Sequence, residues 1–177
     1  MPEITVGSRM IGDNQPCFII AEAGVNHNGQ LHLAKQLIDA AVAAQADAVK
    51  FQTFITEKVV TKSTGKAPYQ QRTTGTSGSY QDMIKHLEFS TEQFMELKAY
   101  AEQKNIIFFS TPAEEESADI LSELGVSFFK VDSANLTNLP HLRHLAQKGL
   151  PLIVSTGMAS LGDIEDALQA IREIDPH

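Results

Sequence analysis

The sequence predicts an α/β fold built on a parallel sheet. Five short apolar runs recur along its 177 residues, and each is followed by a stretch with helical periodicity. The runs are CFIIAEAG (residues 17–24), AVKFQTF (48–54), IIFFSTP (106–112), SFFKVDS (127–133) and PLIVSTG (151–157). They are apolar almost throughout rather than alternating, which is what a strand covered by helices on its outer face and packed again on its inner face requires. Each is rich in β-branched or aromatic residues and closes on Gly, Pro, Ser or Thr.

The helices follow in order. Leu33, Leu37, Ile38, Ala41 and Val42 recur at three- and four-residue spacing and mark one buried face before Asp47. Ser90-Thr91-Glu92-Gln93 reads as a helix start, followed by Phe94, Leu97, Lys98 and Ala101. Pro112-Ala113-Glu114-Glu115-Glu116 opens another, its acids set against the positive end of the helix dipole and read as a solvated first turn. Residues 139–148 and 161–174 complete the set. Strand starts at 106, 127 and 151 lie 21 and 24 residues apart, the close spacing of consecutive βα units. Residues 55–88 break the rhythm. They are rich in Thr, Gly, Ser and Gln, and read equally as a functional lid or a flexible surface insertion.

Composition narrows the function. The chain is long enough for one sizeable core, with 42% hydrophobic and 20% charged residues. A net charge of −8 argues against nucleic acid or an anionic membrane as partner, yet leaves room for a basic pocket holding an anionic metabolite. Cys17 is the single cysteine, so no disulfide framework or CxxC metal site is expected. The opening MPEITVGSRMIGDNQP lacks the apolar centre of a signal peptide, and no run approaches a membrane span. A cytoplasmic protein is expected.

Two architectures fit these elements, an open doubly wound sheet and a (β/α)8 barrel. No GxGxxG or GxxxxGK[ST] loop is present to support the first, and a barrel normally needs eight units and about 250 residues. Both place the site at the carboxyl ends of the strands. There, period two puts Glu22 on one face with Phe18 and Ile20, Lys50 with Gln52, and Lys130 with Asp132. Ser110 and Thr111 end the third run, Ser133 follows the fourth, and Ser155-Thr156-Gly157 ends the fifth. Two interior lysines call for anions, either those of a substrate or those of Glu22 and Asp132 in structural ion pairs. Ser155-Thr156-Gly157 reads as a phosphate-binding turn or an ordinary polar one. His27, in the turn Asn26-His27-Asn28-Gly29, is a candidate to touch substrate or metal or to cap the next helix; the other histidines are expected on solvated faces.

Taken together, FIIAEAGVNHNG, ADAVKFQTF, YQQRTTG with SYQDMIKHLEFS, IIFFSTP, FFKVDSANLTNLP and LIVSTGM resemble the N-terminal barrel of the sialic acid synthase family. That family includes N-acetylneuraminate, legionaminate and pseudaminate synthases and a spore-coat polysaccharide enzyme. The resemblance runs in order from about residue 18 to about residue 171. It implies a TIM-barrel-type (β/α)8 fold, of which residues 1–177 would supply about the first five βα units. It also implies condensation of phosphoenolpyruvate with an N-acetylated aminosugar of the N-acetylmannosamine type, in surface polysaccharide biosynthesis. The family's divalent metal (manganese or magnesium) would polarise the sugar aldehyde, its ligands lying beyond this chain; an antifreeze-like domain that covers the partner subunit's site in a homodimer would lie beyond it too.

Carried over by position, Lys50, Gln52, Lys130, Ser133, Ser155 and Gly157 would hold phosphoenolpyruvate, with Thr156 beside them. Glu22 would contact the reacting groups or the sugar, and the segment from Tyr69 to Tyr80 would help enclose the sugar. One departure stands out. Where the family motif resembles K-[IV]-[GPA]-S-G-E-x-x-N, this chain reads Lys130-Val131-Asp132-Ser133-Ala134-Asn135-Leu136-Thr137-Asn138. Asn135 replaces a glutamate regarded as catalytic and is no general base at neutral pH. Asp132 would either pair with Lys130 or stand in for the missing acid. Two further readings stay open: a Schiff-base aldolase using Lys130, and a truncated, non-catalytic binding or assembly paralogue.

Overall fold

The computed structural model describes residues 3–66, 70 and 79–176. The chain opens with an antiparallel hairpin, β1 (Ile4–Val6) and β2 (Arg9–Ile11). Then follow β3 (Ile20–Gly24), α1 (Leu31–Ala43), β4 (Ala48–Thr53), α2 (Thr56–Val59), α3 (Tyr80–Lys85) and α4 (Thr91–Gln103). The second half runs β5 (Ile107–Pro112), α5 (Glu115–Glu123), β6 (Phe129–Val131), a 3-10 turn (Ser133–Asn135), α6 (Leu139–Ala146), β7 (Leu152–Val154) and α7 (Leu161–Arg172). Strands β3, β4 and β5 pair in parallel, as do β6 and β7. β5 and β6 lie side by side, with the ring of Phe109 4.0 Å from that of Phe128. A strand thus forms within each of the five apolar runs, three in one parallel sheet and two in another.

Each strand has two faces with different work. Val49, Phe51, Phe108, Phe129 and Val131 are buried on the outer face against Ile38, Phe94, Leu97, Leu121, Leu142 and Leu145 of the helices. The opposite face starts apolar at the amino ends of the strands, where Ala48, Phe109 and Phe128 form a second buried cluster ringed by Phe18, Ile20, Ile107 and Ile153. Two residues further along each strand, the same face turns polar at Glu22, Lys50, Thr111, Lys130 and Ser155. Period-two geometry makes this sorting automatic once the register is set.

The hairpin is the element the apolar runs do not announce. Its Val6 is fully buried in the inner cluster, so β1 and β2 close the amino end of the strands. The signal was present: Gly7-Ser8 sits between ITV and RMI, and Gly7 adopts φ +56, as the first position of a tight two-residue hairpin turn requires. Asp47 ties the hairpin down. It ion-pairs with Arg9 and accepts the Ile19 N–H at 2.7 Å.

Three other expectations change. Residues 55–88 are not a plain loop, because they contain α2 and α3. A reciprocal capping box starts α3, with Ser79 accepting from the Asp82 N–H at 3.0 Å and Asp82 accepting from the Ser79 N–H at 3.0 Å. Pro112 ends β5 rather than opening a helix. Glu114 is the N-cap of α5, accepting the Glu116 N–H at 2.9 Å and the Ile55 N–H at 3.3 Å, so only Glu115 and Glu116 form a solvated turn. His141 is buried within α6, not solvated, and His144 bonds Asp119 at 2.7 Å.

Replacing Asp47 with Ala would leave the Ile19 N–H and the Arg9 guanidinium without their acceptor. Urea denaturation should register a loss of about 1–2 kcal/mol. An unchanged midpoint would mean that apolar packing alone seats the hairpin.

Candidate active site

The polar layer forms two adjoining groups. Lys50, only 9% exposed, reaches Glu22 Oε2 at 2.7 Å and donates to Thr111 Oγ1 at 3.3 Å. The register creates this group, because Glu22 pairs directly with Lys50 across β3 and β4, and Thr111 lies two residues past Lys50's partner Phe109 on β5. Gly24 belongs to it too. Its φ is +54, and a Cβ there would stand 3.1 Å from Glu22 Oε1. In the second group, Lys130 donates to Ser155 Oγ at 2.5 Å and to the Val131 carbonyl at 2.5 Å. Ser133 and Gly157 close it, since a Cβ on Gly157 would come 3.2 Å from Ser133 Oγ.

Burial lowers the pKa of Lys130, and the Lys50 charge lowers it further; Asp132 and Glu22 act in the opposite direction. The two lysines therefore feel each other as like charges in one partly desolvated space. A second anion beside Glu22 would relieve that repulsion, so the pair is suited to a dianionic ligand.

Beyond the lysines lies a cleft of about 510 Å³. Gln52, Tyr80 and Asp132 line it together with Val25, Phe54, Val60, Met83, Ile84 and Leu87. Gln52 follows Lys50 by two residues and Asp132 follows Lys130 by two, which places this tier about 6–7 Å past the lysines. Asp132 does not ion-pair with Lys130. Its Oδ1 caps the 3-10 turn by accepting the Asn135 N–H at 2.9 Å. Asn135 turns elsewhere, its amide donating to the Ala113 carbonyl at 3.4 Å and accepting from Asn138 at 3.3 Å. Thr156 is exposed at the rim.

The structure thus gathers Glu22, Lys50, Lys130, Ser133, Ser155 and Gly157 in one layer and Gln52, Tyr80 and Asp132 in the next. Asn135 stands apart, and Tyr69 lies outside the described residues. Sequence reasoning set Thr111 at the site end of its strand but gave it no role; period two from Phe109 points it inward to Lys50. It also missed the apolar wall from α3, whose residues face the cleft only because that helix folds back over the strand ends. His27 touches neither layer. It is buried (1% exposed), its ring 4.0 Å from that of Phe89, and its Nδ1 accepts the Gly29 N–H at 3.1 Å. Among the described residues, no group of three or more His, Cys, Asp or Glu side chains is arranged to hold a metal, so these residues do not fit a metal centre. No helix among them is long and apolar enough to cross a membrane.

Parallel strands ending in a lysine-bearing polar layer define an α/β protein of the TIM-barrel type, and solved structures agree. A sialic acid synthetase from Leptospira borgpetersenii, crystallised with citrate, superposes with a TM-score of 0.84 at 37% identity, covering 97% of this chain and 55% of that one. A truncated 3-deoxy-D-arabino-heptulosonate 7-phosphate synthase from Thermotoga maritima shares the fold at a TM-score of 0.67 and 11% identity, over 98% of this chain and 53% of that one. The chain belongs to the NeuB family, whose model matches residues 37–176. Among curated relatives, N,N'-diacetyllegionaminic acid synthase of Campylobacter jejuni is 48% identical over 86% of this chain and 46% of its own length. Human N-acetylneuraminate-9-phosphate synthase is 37% identical over 96% of this chain and 47% of its own. The chain spans about half the length of the curated relatives it matches.

Burial holds the His27 pKa near 4, against 6.5 for the free side chain. Between those values the unfolded chain takes up a proton that the folded chain refuses. The neutral ring's advantage is full above pH 6.5 and is lost as pH falls toward 4, a loss of about 2–3 kcal/mol. Denaturation midpoints measured from pH 7 to 4 should fall steeply, and His27→Phe should flatten the slope, leaving the part due to buried His141. Equal slopes in both proteins would remove His27 from the acid response.

Proposed function

We propose that this chain is the N-terminal part of a (β/α)8 barrel, about its first five βα units, that condenses phosphoenolpyruvate with an N-acetylated aminosugar. The products are a nonulosonic acid and phosphate, for surface polysaccharide, made in the cytoplasm by a homodimer. The observation that carries this reading is the pair Lys50 and Lys130, one buried and one partly buried cation at strand ends in a family whose relatives are named as acid synthases. The incomplete-barrel reading is supported by an apolar cleft of about 440 Å³ lined by Phe18, Ile20 and Ile153, residues of the first and last of the five strands and the approach to them.

In this reading the phosphate and carboxylate of phosphoenolpyruvate meet Lys50, Lys130, Ser133, Ser155 and the backbone at Gly157. Its C3 attacks the aldehyde carbon of the open-chain sugar and forms the new C–C bond. Water adds at C2, and phosphate leaves with cleavage of the C2–O bond, so that C2 becomes the keto carbon of the product. The lysines stabilise charge on the departing phosphate. Glu22, more exposed than Lys50 and bonded to it, releases the ammonium to the ligand and is placed to handle protons at the reacting carbons. Gln52 and Tyr80 hold the sugar above. The divalent metal expected for the family would polarise the aldehyde; the described residues supply no site for it.

The lowered pKa of Lys130 favours one other reading, an amine nucleophile that forms a Schiff base with a keto acid. Calorimetry and borohydride trapping separate the two. Phosphoenolpyruvate should bind the wild-type chain and bind Lys50→Ala and Lys130→Ala ten- to a hundredfold more weakly, the effect of losing a charge-assisted hydrogen bond. Borohydride with pyruvate should leave Lys130 unlabelled. Affinity unaffected by either substitution would overturn the condensation reading, and a pyruvyl adduct on Lys130 would put the aldolase in its place.

A further inference from the structure

The helix α3 is secured at one end only. None of its 6 residues is fully buried, whereas α1 sinks Ala34, Ile38 and Ala41 into the core and α4 sinks Phe94, Leu97 and Ala101. Tyr80, Met83, Ile84 and, one turn on, Leu87 face the 510 Å³ cleft and stay half-buried. The amino end of α3 is capped from within. Ser79 Oγ accepts the Asp82 N–H at 3.0 Å and donates to Asp82 Oδ2 at 2.7 Å, so this cap asks nothing of the strands.

The carboxyl end is gripped. The His86 carbonyl presses so closely on the turn at residues 26–29 that a Cβ on Gly29 would lie 2.1 Å from it. Phe89 is buried, its ring stacked 4.0 Å from that of His27, and Ser90 at once opens α4 with its own capping box. Glu88 accepts the Thr56 N–H at 2.9 Å. Between the loose end and the fixed one stands Lys85. It bonds Glu88 at 2.9 Å and reaches across to Glu57 of α2 at 3.1 Å, through side chains that are 50% and 56% exposed in the Lys85–Glu57 pair.

We infer that α3 is a hinged flap over the cleft, swinging about residues 86–89, with the Lys85–Glu57 ion pair as the latch that holds it down. Access to the cleft thereby responds to ionic strength. Lifting the flap costs little, because its apolar underside meets a cleft rather than packed side chains, and an ion pair between exposed groups is weak and screened by salt. The hinge stays put, because moving it would strip Phe89 from the core and Gly29 leaves the backbone at His86 no room to slide. Glu22, Lys50 and Thr111 are held by strand register, so the lysine layer below is undisturbed when the flap rises.

The experiment is amide hydrogen exchange of the whole chain, read by mass spectrometry with no ligand added, so its outcome does not depend on the condensation reading. A helix this short does not persist once lifted from its support, so the amides of residues 80–85 report opening. Lys85→Ala should speed their exchange about three- to tenfold and Glu57→Gln about two- to fivefold, the effect of losing two exposed ion pairs or one. Peptides from α4 should not change. Wild-type exchange in residues 80–85 should also quicken from about 0.1 M to about 1 M salt, over which the Debye length shrinks from about 10 Å to about 3 Å, while Lys85→Ala should lose that response. Gly29→Ala, which displaces the hinge, should speed exchange through residue 89 as well. Exchange in residues 80–85 that ignores both latch substitutions, or a salt response that survives Lys85→Ala, would overturn the latch. Release of α4 together with α3 would replace the flap with unfolding of the whole region.

Discussion

The ammonium of Lys50 is the constraint around which the rest of this molecule is arranged. A lysine on the inner face of a sheet, above a layer of packed phenylalanines, loses most of its water and must recover the lost interaction from groups fixed in advance. Glu22 supplies a charge and Thr111 a hydroxyl, and both are delivered by strand register rather than by loops. Once Lys130 is added across the same space, the two cations repel, and a single glutamate with a half-exposed side chain does not neutralise both. The protein alone therefore leaves its cations under-compensated. A dianion held between the two lysines would supply the missing charge, as expected of a binding site assembled on rigid elements.

That constraint explains how the strands are divided along their length. Polar groups occupy the inner face only at the carboxyl ends, and the amino ends are filled by Ala48, Phe109 and Phe128 and sealed by Val6 of the hairpin. The seal matters because water entering from below would screen the lysines. Asp47 and Gly7 thus serve the site from the opposite end of the fold, one as acceptor for Ile19 and Arg9, the other by allowing a turn tight enough for Val6 to enter. Helix placement has the same logic. Phe51, Phe108 and Phe129 face outward between the lysine-bearing positions, so anchoring the strands to the helices and aiming the lysines inward are one geometric act.

Much of this was legible because period two is local. In AVKFQTF, the alternation of Val49 and Phe51 with Lys50 and Gln52 assigns faces without any tertiary knowledge, and the same holds for Phe129 and Val131 around Lys130. What could not be read was anything that depends on where a side chain ends after the backbone bends. Asp132 and Asn135 are three residues apart, and sequence alone allowed either to face a ligand; the 3-10 turn between them decided it, turning Asn135 toward Ala113 and leaving Asp132 at the cleft. His141 was misjudged for a related reason. Its neighbours Arg143 and His144 are polar, yet helical geometry places it on the face shared with Leu142 and Leu145. The capping box at Ser79-x-x-Asp82 was a local signal that a Thr- and Gly-rich context obscured.

The two tiers of the site are built from different parts of the chain, and this has consequences for how they vary. The lysine layer is held by strand pairing, so altering it disturbs the sheet. The cleft above owes its apolar wall to α3, and α3 is fixed at its edges by a small polar lattice. Lys85 bonds Glu88 at 2.9 Å and Glu57 at 3.1 Å, while Glu88 also accepts the Thr56 N–H at 2.9 Å, stapling α2 to α3. Mostly exposed contacts of this kind are individually weak, so the wall can be re-cut by substitution without cost to the sheet below. The lysine layer and the cleft above it are thereby separable structural layers. The cleft can therefore change its lining while the register that fixes Glu22, Lys50 and Thr111 stays as it is.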